Sequence, residues 1–509
     1  MAALPSLWNL AFFALAVALW ANTWREHWAN YVTPMDYVRC AELHNRILEI
    51  GWARPGKQLT IGDGSDGSDP TAAHVLQKHP SWFQHWGKRA EAMRPRLSPD
   101  LTAFLQRAWV AGEDHSFFFY VNDITSPSAM WAHEENMVTD PDDVDRYLTL
   151  YSSNLHASHP DGLVFDQKKN LAIMQMDLYD WSTTHNGRQK WHPLEVVLGQ
   201  WLDMIEMGKV QTVAEGVSTR LESHDPWTEV GYSKRQLEET LEVWEQLLHA
   251  IEARIPGHMS SEKIETLIDD SMVYLEEAGV LPGFVPEFLT KARRPAFRRI
   301  APGISLPDVE SITRHQPFRH VELEFPYVRP EHSGKPTVQF PVLLFASSEG
   351  LAYSAPRATG YYGFDRTAPF PMPWDQVRSY PAGLYFTMTD QLGPGFEDGV
   401  KLVLPFGVGG RGWARTADGA KFGENLDDTY HSDAEIDGQD RYDSLFQLGY
   451  NPFVPRHEVR LVQVLRAWVK LVKSGEWKIG PDGVLDGMDK WRDADTRWHW
   501  KKYVVPMSW

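Results

Sequence analysis

Apolar residues recur every three to four positions from about residue 35 to 300, then alternate or run in blocks beyond the stretch IAPGISLPD at 300 to 308. One kind of element cannot serve both patterns. A 3.6-residue repeat lays apolar side chains along one helix face, whereas a period of two lays them on one face of a strand. The change predicts an α+β protein, with a mainly helical N-terminal half carrying an inserted β-hairpin and a mixed β/α C-terminal half. The Pro- and Gly-rich stretch is the expected boundary. A chain of 509 residues also outgrows one hydrophobic core, since cores stop growing beyond roughly 250–300 residues. The expected division is 1–24, 25–300 and 301–509.

Four helices stand out in the pattern. SPDLTAFLQRAWVAG (98–112) places Leu101, Phe104, Leu105, Ala108 and Trp109 on one face, with Gly112 as a stop. HPLEVVLGQWLDMIEMG (192–208) repeats that spacing. SKRQLEETLEVWEQLLHAIEARIPG (233–257) opens with Ser233 and Gln236 in capping-box spacing and carries Leu237, Leu241, Trp244, Leu248 and Ile251 as a stripe. HEVRLVQVLRAWVKLVKSG (457–475) ends with Lys470, Lys473 and Gly475, as a helix C-terminus favours. In GLVFDQKKNLAIMQMDLYDW (162–181) two apolar runs flank a polar turn, which predicts the hairpin. HVELEF (320–325), VQFPVLLF (338–345), LYFTMT (384–389) and VKLVLPF (400–406) read as strands.

The segment Leu4–Trp24 carries no charge. At a helical rise it spans about 30 Å, enough to cross a bilayer, and Trp8, Trp20 and Trp24 lie towards its ends as interfacial anchors do. No Lys or Arg precedes it, whereas Arg25 and Arg39 follow, so the positive-inside bias predicts a single-pass membrane protein with its body facing the cytosol. The alternative is a cleaved signal peptide and a secreted chain, for which Ala14-Leu-Ala16 and Ala16-Val-Ala18 offer small-residue sites. Cys40 is the only cysteine, and no Asn begins a glycosylation sequon, which favours the reducing side. The formal net charge of −18 disfavours nucleic acid as a partner.

Several clusters carry candidate chemistry. ENLDDTYHSDAEIDGQDRYD (424–443) has eight acids offset only by Arg441. Such a run needs water or a cation to screen it. As a cation site its ligands are Asp427, Asp428, His431 and Asp433, oxygen-rich and suited to Mg²⁺ or Ca²⁺. As a solvated loop it needs no ligand, and its spacing matches neither an EF-hand nor DDxxD. In AGEDHSFFFYVND (111–123) and WAHEEN (131–136), Asp114, His115 and His133 are candidate proton-transfer groups, because carboxylates beside aromatic bulk titrate upward and imidazole titrates near neutrality. The competing reading there is a helix end followed by a buried strand.

HASHPDG (156–162) offers His156, His159 and Asp161, with His185 or His224 as a distant partner, as an iron-type ligand set or an ordinary turn. GVGGRG (407–412) follows a strand and fits either a phosphate cradle or a β-turn. IGDGSDGSD (61–69) is a loop or a calcium site. KARRPAFRR (291–299) holds five cations that face anionic groups or pair with neighbouring acids. RWHWKKYVVPMSW (497–509) is a docking tail or a final packed strand.

The chain lacks GxSxG, HExxH, a P-loop and the kinase signatures, which removes the commonest hydrolase and phosphotransfer machineries. Its length, its aromatic content and the acid/His clusters predict a membrane-anchored enzyme acting on a small lipophilic organic molecule. In this reading it is a biosynthetic enzyme using a divalent metal. The alternative is a non-catalytic membrane-tethered scaffold or binding protein.

Overall fold

The computed structural model describes residues 34–53, 79–112, 115–132, 144–153, 162–175, 191–214, 225–257, 265–268, 275, 278–280, 282–308, 310, 312, 315–321, 340–353, 369–370, 374, 377, 379–387, 396–422, 442–449, 453–454 and 458–509. Helices and sheets are both well represented, and the chain is α+β. Among the described residues no helix is long and apolar enough to cross a membrane, and Leu4–Trp24 lies outside them.

The chain begins with helices α1 (Tyr37–Trp52), α2 (Trp82–Trp86), α3 (Lys88–Met93) and α4 (Pro99–Leu105). A five-stranded antiparallel meander follows in sequence order: β1 (Val121–Ile124), β2 (Tyr147–Ser153), β3 (Gly162–Asp166), β4 (Leu171–Gln175) and β5 (His192–Pro193). The hairpin expected at 162–181 is β3 with β4. The N-terminal half is thus richer in strand than its periodicity suggests. β1 has only four residues, buried at its two ends and without alternation, so it registers no period. β3 is buried along its whole length, so it shows no alternation at all.

Helix α5 (Leu194–Glu206) packs against α1, and a small hairpin of β6 (Val210–Thr212) and β7 (Trp227–Glu229) follows. Helix α6 (Lys234–Glu252) has the capping box its sequence announces. The Ser233 hydroxyl accepts from the Gln236 N–H, and the Gln236 amide accepts from the Ser233 N–H. β8 (Glu265–Thr266), α7 (Phe284–Lys291) and β9 (Arg293–Arg294) lead into a second sheet. It comprises β10 (Arg299–Ala301), β11 (Ile304–Ser305), β12 (Val342–Tyr353), β13 (Ser379–Phe386), β14 (Val400–Val408), β15 (Tyr442–Leu445), β16 (Ile479–Gly480) and β17 (Gly483–Val484). Its spatial order is β15-β14-β13-β12-β11-β10-β17-β16, antiparallel except where β10 meets β17. Helix α8 (Leu461–Lys473) packs on α6. Of the expected strands, 320–325 falls almost wholly outside the described residues.

Two hydrophobic clusters organise these elements. The first runs from Met35 to Trp227 and takes in Phe396, Phe453, Val454 and Trp509 from far along the chain. The second runs from Leu237 to Val505. Long-range polar bonds seat the late residues in the first cluster. The Phe453 carbonyl accepts from both the Tyr120 hydroxyl and the Trp201 indole. The Trp509 indole donates to Asp203 on α5. The C-terminal RWHWKKYVVPMSW is not the expected strand: a 3₁₀ turn at Trp500–Lys502 gives way to irregular backbone that packs through Trp509, while Trp498 stays 78% exposed.

Gly162 shows how tightly the first sheet is built. Its φ is +107°, and a Cβ there would lie 2.0 Å from the Tyr151 carbonyl oxygen on β2. Gly162→Ala is expected to cost about 2–3 kcal/mol of unfolding free energy in urea denaturation, from clash and left-handed strain together.

Candidate functional site

Among the candidate proton-transfer and metal-ligating residues Asp114, His115, His133, Asp427, Asp428, His431 and Asp433, His115 is the one that lies within the described residues. It sits just before the tight turn at 117–122, where the Phe117 N–H donates to the Asn122 carbonyl. Its neighbours Leu48, Gly51, Trp52, Ser116, Pro226 and Trp227 line a shallow surface crevice with it, one that encloses essentially no volume of its own. The last turn of α1 supplies one wall, and the segment leading into β7 supplies the other. The walls are fixed by hydrogen bonds. The Trp227 indole donates to the Ser116 carbonyl at 3.0 Å, and the Ser116 N–H donates to the Asp225 carbonyl at 2.8 Å. Trp52 stacks on His79 with ring centroids 3.9 Å apart, and its indole donates to the Ala111 carbonyl.

Beneath the α1 wall lies a buried polar cluster that sequence reading missed. His44 Nε2 is 2.8 Å from the Trp109 carbonyl oxygen, and Nδ1 is 2.8 Å from the Tyr151 hydroxyl. A carbonyl only accepts, so Nε2 carries the proton and Nδ1 accepts from Tyr151. Burial pushes the imidazole down to about 4, so it is neutral at physiological pH. It stacks on Phe117 with ring centroids 4.5 Å apart. Asp123 accepts from the Ala111 N–H at 2.8 Å and the Ile124 N–H at 2.7 Å. Burial nonetheless dominates and lifts its carboxyl to about 7. Cys40, one turn before His44 on α1, lies 3.6 Å from Glu195 of α5, and burial followed by that carboxylate pushes its thiol well up. This thiol is inert as a nucleophile. The only sequence signal for the cluster was a histidine on the apolar stripe of α1 between Cys40 and Leu48, the ordinary look of a core residue.

Asp114, His133, Asp427, Asp428, His431 and Asp433 lie outside the described residues, as do Glu113, Glu134, Glu135, His156, His159, Asp161, His185, His224 and the loop 61–69. Among the described residues, one acid/His group has its ligand atoms close enough for a metal: Glu476, Asp493 and His499. Its chemistry is that of an ion-pair network. Glu476 accepts from Lys490 at 3.1 Å and lies 2.7 Å from His499 Nδ1, and it also accepts from Lys502. Burial alone would raise its carboxyl, and the lysine hydrogen bonds outweigh burial to hold it at about 2. Two ammonium groups already occupy the space a cation would take.

The basic run 291–299 is also largely spent on partners. Arg293 bonds Glu245 and Glu252, Arg294 donates to the Leu267 and Pro307 carbonyls, and Lys291 bonds Glu287. The glycine-rich turn after β14 does gather N–H groups around an anion, and that anion is the chain's own Asp495. The chain matches no protein-family model, no curated protein and no solved structure.

The two buried groups near His115 have opposite pH signatures. Asp123 holds its proton on folding, so between about pH 4 and 7 it makes stability fall as pH rises. His44 resists protonation on folding, so between about pH 4 and 6.5 it makes stability rise with pH. The two slopes oppose each other in one window. Asp123→Asn is expected to unmask the His44 slope, up to about 1.4 kcal/mol per pH unit, in urea denaturation between pH 4 and 6.5.

Proposed function

We propose that the chain is a membrane-anchored enzyme acting on a small lipophilic organic molecule, with His115 as a proton-transfer group and a divalent metal held by Asp427, Asp428, His431 and Asp433. In this reading Leu4–Trp24 is the anchor, the body faces the cytosol, and Asp114 and His133 assist His115. The observation that carries it is the surface crevice, which His115 and Ser116 line together with Trp52 and Trp227. Apolar aromatic walls with a few polar groups are what small lipophilic ligands require. A side chain able to take up and return a proton is what acid/base chemistry on them requires.

A second reading is favoured by the size of the same crevice. Ordinary small-molecule sites enclose about 300–1,000 Å³, whereas this crevice encloses essentially none. In that reading the chain is a non-catalytic membrane-tethered scaffold, and the aromatic crevice seats a partner's side chain.

Metal analysis of the purified full-length chain, paired with a thermal-shift screen over metals and lipophilic metabolites, separates the two. The enzyme reading expects a bound divalent ion that is lost in the double variant Asp427→Asn, Asp428→Asn. It also expects His115→Ala to keep metal and fold while slowing turnover of the stabilising metabolite about 10²–10⁴-fold. A metal-free wild-type chain that responds to no metabolite and purifies with a stoichiometric protein partner contradicts it and supports the scaffold.

A further inference from the structure

We propose that the loop 409–414 is an oxyanion-binding site whose built-in occupant is the carboxylate of Asp495. Four backbone N–H groups converge there. Those of Gly409 and Arg411 donate to Oδ2 at 2.9 and 2.8 Å, and those of Trp413 and Ala414 donate to Oδ1 at 2.7 and 2.9 Å. Such convergence needs left-handed backbone, and Gly409 and Gly412 supply it with φ of +105° and +73°. Arg415 braces the loop from behind, its guanidinium donating to the Gly412 and Ala414 carbonyls at 2.9 and 3.0 Å. The arrangement has the donor count and geometry of a phosphate or carboxylate cradle, and its ligand class is a small oxyanion.

What fills the cradle arrives from 81 to 86 residues away. Asp495 ends the 3₁₀ helix Met488–Asp495 and is 3% exposed. That helix is itself moored. The Trp491 indole donates to the Pro302 carbonyl at 2.9 Å, and the Met488 N–H donates to Glu349 at 2.8 Å. A tethered carboxylate acts at high effective concentration, so it keeps a free anion out of the intact chain. The C-terminal segment thus behaves as a ligand in cis, fastening itself to the sheet through an anion site.

The test is chemical rescue in the full chain. Asp495→Ala removes the carboxylate and leaves room for a small anion. Thermal midpoints are measured in formate, in inorganic phosphate and in chloride at equal ionic strength. The variant is expected to be less stable than wild type in chloride and to gain midpoint with formate or phosphate, the more effective anion naming the ligand class. Wild type is expected to respond to neither beyond chloride. Should Asp495→Ala not fold in chloride, recovery of folded protein on refolding in formate or phosphate supports the site equally. Asp495→Asn, whose amide still fills the cradle, is expected to be destabilised and not rescued. Indifference of Asp495→Ala to both anions overturns the proposal, as does failure to refold in either, an equal gain in wild type, or rescue of Asp495→Asn.

Discussion

The ion pair between Arg460 and Asp398 lies where the two hydrophobic clusters meet. The guanidinium donates to the carboxylate at 2.8 Å, with the side chains 4% and 0% exposed. Around it the network spreads in both directions. Glu239 on α6 lies 3.4 Å from Arg460 and 2.6 Å from Arg466 on α8, and the Gln236 amide reaches Asp398. On the other side the guanidinium sits 4.0 Å over the ring of Trp509, which the first cluster encloses and α5 holds. Two charges this deep are costly to bury and costlier to separate, so each one fixes where the other's element must lie. α6 and α8 belong to one cluster and Trp509 to the other, and Arg460 touches both.

The same economy recurs among the described residues: many polar groups whose chemistry would suit a site are committed to holding the chain together. Arg293 of the basic run is clamped between Glu245 and Glu252. The glycine turn closes on Asp495. Glu476 gathers Lys490, His499 and Lys502, which pins the end of the chain beside Trp477 and Trp491. His44 and Tyr151 satisfy each other within a shell of aromatic rings. Such groups specify one arrangement of a core rich in tryptophan, where large apolar rings alone would tolerate several. His115 lines the surface crevice beside Trp52 and Trp227, which is why the functional proposal centres on it.

How much of this was legible follows from the range of each interaction. Helix α6 could be read directly, because its capping box and its apolar stripe are local and agree. So could α8, and the β3–β4 hairpin, whose turn residues sit between two clear apolar runs. The rest of the five-stranded sheet could not, because β1 and β5 are short and β3 is buried on both faces. GVGGRG could be read as a β-turn or as a phosphate cradle, and nothing local marks Asp495 as the group its N–H donors hold. Arg460 and Asp398 are 62 residues apart and carry no motif. Among the sites, His115 was legible as an imidazole beside aromatic bulk, whereas Asp123 and His44 owe their character to burial that only the folded chain creates.

A double-mutant cycle on the central pair tests this account most directly. Urea denaturation of wild type, Arg460→Met, Asp398→Leu and the double variant gives the coupling. Each single change is expected to cost about 3–5 kcal/mol, because it strands a buried charge. The double variant should cost about 2–3 kcal/mol less than their sum. Losses under about 1 kcal/mol for the single variants, or losses that simply add, would contradict a structural role for the pair where the two cores meet.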